Sequence, residues 1–422
     1  MHRRRDLLCG LASLATVGLA GCRERANTEP STPTAAGAVT YPHLHPSGNR
    51  VLDGSGSVRT AGPVEIPVAG RPRWLVATAA ERGSFWTIVS SSGTAKTVRV
   101  VDSDVEVVGS QMPFADARPP VVRHSGSTAT VVRPPGDAAP QSVPIRRPDG
   151  WVYVDDDGRI VRTVDGGERR EFAVDALPDA RLAALGEDRY ALYGDRTERY
   201  KHGALGDTVE GGSLVVFDGA TSEVVTRTSL DPPAVYEGQS PLAADLDGNG
   251  DVELLTTVSD SELGARIVVF DETGERRATG PIHGSGWRHQ LCVAPFAKDG
   301  RPELAVVRQP HVGHVLEFYR FDGNELAVTA TLDGFSSHAF GSHNLDGGLA
   351  ADLDDDGSVE LLVPTTDRRT LRAVERTADG ARVDWGLALD GALRTNVAGV
   401  ALGDGRVSVG AGTDSGVLVW QG

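Results

Sequence analysis

The strongest constraint in this chain is a unit that occurs twice. Residues 242–255 read LAADLDGNGDVELL, and residues 349–362 read LAADLDDDGSVELL. Each is a short apolar run, an acidic turn containing glycine and a second apolar run, the pattern of two strands joined by a tight loop. A weaker copy, LCVAPFAKDGRPELA, lies between them at 291–305. Such a unit must pack against its own copies, because a single one cannot bury its apolar face. Further apolar strands follow each copy and end in aspartate-containing turns. Turn aspartates in one apparent phase are Asp102, Asp155, Asp218, Asp271, Asp322 and Asp379. Upstream strands begin near Trp74, Val121, Leu182, Leu242, Leu291, Leu349 and Val397. These phases recur roughly every 54 residues, room for a four-stranded sheet and its loops.

The expected fold is therefore all-β, a seven-bladed β-propeller over residues 41–422. Eight blades, or six with an irregular first third, are the alternatives. The seventh phase stops at Trp420, Gln421 and Gly422, one strand short. Residues 57–68 (SVRTAGPVEIPV) are expected to supply that strand in the last blade, closing the ring and removing an exposed edge. The second phase is the weakest, because Pro119, Pro120, Pro134, Pro135 and Pro140 interrupt it.

The N-terminus reads as an address. Arg3, Arg4 and Arg5 precede an apolar stretch from Leu7 to Ala20, and Leu19-Ala20-Gly21-Cys22 closes it. This resembles a twin-arginine (Tat) export signal joined to a lipobox. The resemblance implies a signal peptide over 1–21, cleavage before Cys22 and lipidation of its thiol. Residues 22–40, rich in Thr, Pro and Ala, are expected to be a flexible tether. The expected location is the outer, extracytoplasmic face of the cell membrane, with the lipid on Cys22 as the membrane contact. Cys292 is then the one cysteine outside the signal and tether. It is expected to be a buried small hydrophobe.

Charge narrows the partners. The chain has 42 basic and 58 acidic residues, a net of −16, and only three of the basic residues are lysines. No basic run follows the first five residues, so nucleic acid is not an expected partner. The acidic, lysine-poor composition fits a halophile-like surface, which salt keeps from repelling itself. A monomer is expected.

The two full units carry candidate metal ligands. Asp245, Asp247, Asn249 and Glu253 fall at positions 1, 3, 5 and 9, as do Asp352, Asp354, Asp356 and Glu360. The backbone carbonyls of Asp251 and Ser358 add position 7. Hard cations take six to eight oxygens, and a tight loop can gather them. An EF-hand places its acid at position 12 between helices, so this is a different loop. Plain aspartate-capped turns are the alternative reading. The pattern resembles the FG-GAP (VCBS-type) repeats of integrin-like β-propellers, clearly over 240–400. That resemblance implies one structural calcium in each loop, between the first and second strands of a blade, two Ca2+ sites in all. At 294–303, Pro295 and Ala297 replace the first two ligands and Lys298 adds positive charge, so no metal is expected there.

Histidines form a second set. Six of eleven lie between 283 and 343: His283, His289, His311, His314, His338 and His343. In a four-stranded meander the loops after strands two and four share one face, opposite the loops after strands one and three. The acidic loops belong to one face and the histidines to the other. Trp287, Arg288, Arg308 and Asn344 accompany the histidines as a candidate ligand-binding mouth. Tyr236, Glu237, Gln239, Lys201 and His202 are placed to reach it. Imidazoles there can bind a transition metal or transfer protons. No Gly-x-Ser-x-Gly, His-Glu-x-x-His, Walker or Cys-x-x-Cys motif is present. The first functional reading is a surface-anchored binding module for a protein or polysaccharide. The alternative is an extracytoplasmic hydrolase, lyase or oxidoreductase using the same mouth.

Overall fold

The computed structural model describes residues 38–40, 48–109, 112–113, 118–186, 188–221 and 223–422. The predicted signal peptide and Cys22 lie outside them. The described chain is almost entirely β, built of antiparallel meanders in chain order. One meander is Val235–Ala244, Glu253–Ser259, Arg266–Phe270 and Arg276–Thr279. The next is Arg288–Ala294, Glu303–Arg308, Val315–Phe321 and Leu326–Asp333. The third is Leu349–Asp352, Glu360–Pro364, Thr370–Thr377 and Gly380–Ala388. The repeat thus folds as read: each acidic loop joins the first strand of a meander to the second.

Burial explains the layering. Every residue of Glu253–Ser259 is buried, whereas Arg276–Thr279 is mostly exposed. Inner strands read as continuous apolar runs because neighbouring sheets cover both faces; outer strands lie at the rim. The core accordingly sits between adjacent sheets. Leu255, Ile267 and Val269 pack with Leu304, Val306 and Tyr319 of the following meander.

The last meander has three strands, Val397–Ala401, Val407–Gly412 and Val417–Gln421. Val64–Ile66, inside the segment expected to complete it, pairs antiparallel with Val417–Gln421, Val64 opposite Val419. This sheet also packs on the first meander, whose leading strands are Pro72–Ala79 and Ser84–Ser90. Leu75, Trp86 and Ile88 share a core with Ala398, Val400 and Val419. Gly410 makes that contact possible, since a Cβ there would lie 2.4 Å from the Trp86 ring. Val51–Ser55 pairs in parallel with Leu349–Asp352, and the preceding Asn49 and Arg50 bond Val293 O and Gly348 O.

The second phase departs from expectation. Val121–His124 and Ala129–Val132 form a small sheet with Ala38–Thr40, the last residues of the expected tether. A separate four-stranded sheet follows, from Ile145–Arg147 to Arg169–Ala173. Asp155 therefore turns the second strand into the third, and Asp165 occupies the turn that the other aspartates mark. An Asp-Gly turn signals a tight hairpin but not which hairpin of a meander it is.

Candidate functional site

The acidic loops are built by their own carboxylates. Asp245 accepts hydrogen bonds from the backbone N–H of Gly248 (2.7 Å), Asn249 (3.1 Å) and Gly250 (2.9 Å). Asp352 accepts them from Asp356 (3.2 Å) and Gly357 (3.0 Å). Gly250 and Gly357 have φ of 96° and 82°, which lets the turn present these N–H groups without a Cβ clash. Glu253 accepts from Leu246 N–H at 2.7 Å and Glu360 from Leu353 N–H at 2.8 Å. Carboxylate oxygens of Asp245, Asp247 and Glu253 lie within 4.8 Å of one another, as do those of Asp352, Asp354 and Asp356. Asn249 Oδ1 and Asp356 Oδ1 instead accept from the N–H of Asp251 and Ser358. Burial, then the neighbouring aspartates, push the Glu360 carboxyl up to about 8, and Glu253 and Asp354 also rise.

The third copy is neutralised differently. Glu303 is fully buried and accepts from Arg320 Nη2 at 2.8 Å and from Arg376 Nε at 2.7 Å. Asp299 pairs with Arg301 at 2.8 Å. Lys298 reaches across to Glu375 and to Ser358.

The opposite loops bring three of the six predicted histidines together, His289, His311 and His338. Trp287 stacks on His289 with centroids 4.5 Å apart and meets His338 edge-on at 5.2 Å. His338 Nε2 donates to Ser342 O at 2.7 Å, leaving Nδ1 to accept from His311 Nε2 at 2.8 Å. His289 Nδ1 meets Ser337 Oγ at 2.7 Å. Burial holds all three imidazoles neutral: His311 falls to about 4, His338 to about 3, and His289 also far below its usual value. His283 is exposed in the connection before Arg288–Ala294. His314 has φ of 57°, and its backbone accepts from Gly334 and donates to Gln309 in that turn. Arg308 is held by Glu317 at 2.6 Å, and Asn344 Oδ1 caps Asp346 N–H at 3.1 Å. Arg288 is 1% exposed, and its Nε and Nη2 have no hydrogen-bond partner among the described residues.

Beside the histidines lies a charged floor that sequence reasoning named only in part. Arg50 and Arg181 clamp Asp346 at 2.8 and 2.9 Å. His343 Nδ1 meets Asp179 Oδ2 at 3.0 Å, and Gln239 Nε2 donates to the same oxygen at 3.0 Å. His202 Nδ1 contacts Glu237, whose carboxylate raises the imidazole above its usual value. A cavity of about 60 Å³ is lined by Arg50, Arg181, Glu237, Gln239, Arg288 and His289 among others. Asp179 follows a fourth strand and Asp207 a second strand, so the loop rule that sorted the histidines would have placed both on this face. Arg50 carried no such signal, because it precedes the repeat. Cys292, fully buried with its thiol pushed up to about 12, is the inert core residue expected.

No protein-family model and no curated protein matches the chain. Solved structures do. BBS1N in complex with ARL6DN is 11% identical, covering 85% of this chain and 96% of that one, with a TM-score of 0.43. BamB from Moraxella catarrhalis is 12% identical over 92% and 99%, with a TM-score of 0.41. KlAtg21 with the coiled coil of AgAtg16 is 10% identical over 83% and 94%, with a TM-score of 0.43. The propeller-type architecture rests on the strand pairing and the shared cores between successive sheets, not on these matches.

Proposed function

We propose that this chain is an extracytoplasmic binding module, anchored by a lipid on Cys22, whose histidine face docks a protein or polysaccharide. The observation that carries the reading is a rim of exposed apolar side chains beside the histidines. Phe340 is 69% and Val312 82% exposed, and the Phe340 ring lies 5.3 Å from His311. Exposed large apolar groups above a buried charged floor are the makings of a docking surface, in which aromatic anchors carry much of the affinity. Loops from several sheets converge there, which suits recognition.

The sheets act as a rigid closed ring of eight, seven of them four-stranded and the smaller eighth made of Ala38–Thr40, Val121–His124 and Ala129–Val132. Support comes from the Val64–Ile66 pairing and from the core shared by the first and last meanders. The two acidic loops hold structural calcium in the FG-GAP manner, stiffening the opposite face. A panel of polysaccharides and surface proteins, screened with wild type and with Phe340→Ser/Val312→Ser, tests the docking reading. Binding by wild type that the double variant loses is expected; binding that survives it removes this face from the account.

The enzymatic alternative draws on two carboxylate–imidazole pairs on the same face, Asp179 with His343 and Glu237 with His202. Turnover of a polysaccharide from that panel, abolished by His202→Ala, would favour it.

A further inference from the structure

Several carboxylates of the histidine face are buried close together. Glu210, Glu237 and Asp179 are each 4–5% exposed. Glu210 accepts from Gly238 N–H at 3.3 Å, and the carboxylates of Glu237, Asp179 and Asp207 act on it. Burial and these like charges push its carboxyl well above the usual range. Arg50 and Arg181 are spent on Asp346 and His202 contacts Glu237; among the described residues no cation pairs with Glu210 or Asp207. Carboxylates gathered this closely repel one another unless a cation or protons enter among them.

Two further observations point to a cation. Asp179, Asp207 and His343 each offer a ligand atom, all within 4.8 Å of one another. Gln239 is 1% exposed and bonds Asp179 through Nε2, while its Oε1 has no hydrogen-bond partner among the described residues. The backbone is already held in place: His343 O accepts from Arg181 Nη2 at 3.0 Å and from Gln239 Nε2 at 3.1 Å.

We propose that Asp179, Asp207 and His343, with the buried Gln239 amide bonded to Asp179, form a site for a divalent transition ion, for which Mn2+ is the probe. Carboxylate and carbonyl oxygens suit Mn2+, and the single imidazole favours it over Ca2+. The site joins residues from three connections, 174–182, 198–209 and 334–348, so an ion there ties distant meanders together on the face opposite the acidic loops. It goes beyond the docking reading and does not depend on it.

The test uses the full chain carrying Asp245→Ala/Asp352→Ala, which disables the acidic loops. Calorimetric titration with Mn2+ should find one site per chain. Pulsed electron paramagnetic resonance should show modulation from one imidazole nitrogen, absent in His343→Gln. Asp179→Asn and Asp207→Asn should each weaken Mn2+ by about tenfold or more. Asp207 lies in a connection rather than in a strand, so its variant decides the matter if Asp179→Asn fails to fold. Absence of Mn2+ binding, affinity unchanged in all the variants, or a preference for Ca2+ over Mn2+ would each overturn the proposal. Loss of polymer binding in Phe340→Ser/Val312→Ser with Mn2+ binding intact would separate this site from the docking face.

Discussion

The loops at 245–253 and 352–360 and the one at 294–303 occupy the same place in successive meanders, yet they manage charge differently. In all three, a buried glutamate opens the second strand: Glu253, Glu360 and Glu303. Extending the strand registers by one residue places Arg320 opposite Glu303, but Asp271 opposite Glu253 and Glu375 opposite Glu360. The middle loop brings its own cations, Arg320 and Arg376. The outer two gather aspartates around the glutamate instead. Glu303 thus meets arginines, whereas Glu253 and Glu360 meet backbone N–H groups.

The contrast breaks first at Glu303. Glu303→Ala leaves Arg376 buried and unpaired, and is expected to cost about 3–5 kcal/mol, equally with and without calcium. A calcium-dependent loss in denaturant titration would show that the middle loop is not self-sufficient. Calcium comes next. At a hundredfold excess over Kd, Ca2+ should stabilise wild type by about 2.7 kcal/mol per site and Asp245→Ala/Asp352→Ala not at all. Equal thermal shifts in the two proteins would return both loops to plain turns.

A pH series without divalent ions sharpens the comparison between faces. Glu360 folds with its carboxyl raised from 4.5 to about 8, so its contribution is complete below pH 4.5 and lost as pH climbs through 8. His338 folds with its imidazole lowered from 6.5 to about 3, so its contribution is complete above pH 6.5 and lost as pH falls towards 3. Stability measured without calcium should decline at both ends; added Ca2+ should remove the alkaline decline and spare the acidic one. The smallest effect is expected at Arg59, which is half exposed and pairs with Asp354 at 3.2 Å. Arg59→Ala should tighten calcium at the second loop by up to about fivefold, the scale of a surface ion pair, and leave the first unchanged. Unequal affinities that persist after the change would place their cause elsewhere.

Much of this was legible along the chain. Short apolar runs and aspartate-containing turns announce the meanders, and loop parity alone assigns acidic turns and histidines to different faces, because antiparallel strands alternate direction. The same logic failed between residues 121 and 173, where a turn signal has no label saying which strands it joins. What the sequence by itself determined is local: which residues pair into hairpins, where each loop points and which loops carry oxygen or nitrogen donors. Tertiary structure alone decided which distant groups meet: Arg50 with Asp346, Glu303 with Arg376, and Asp179 with His343 some 164 positions away. Those meetings depend on how the sheets pack around one another, and sheet packing is set by the summed shape of many side chains rather than by any short run of them.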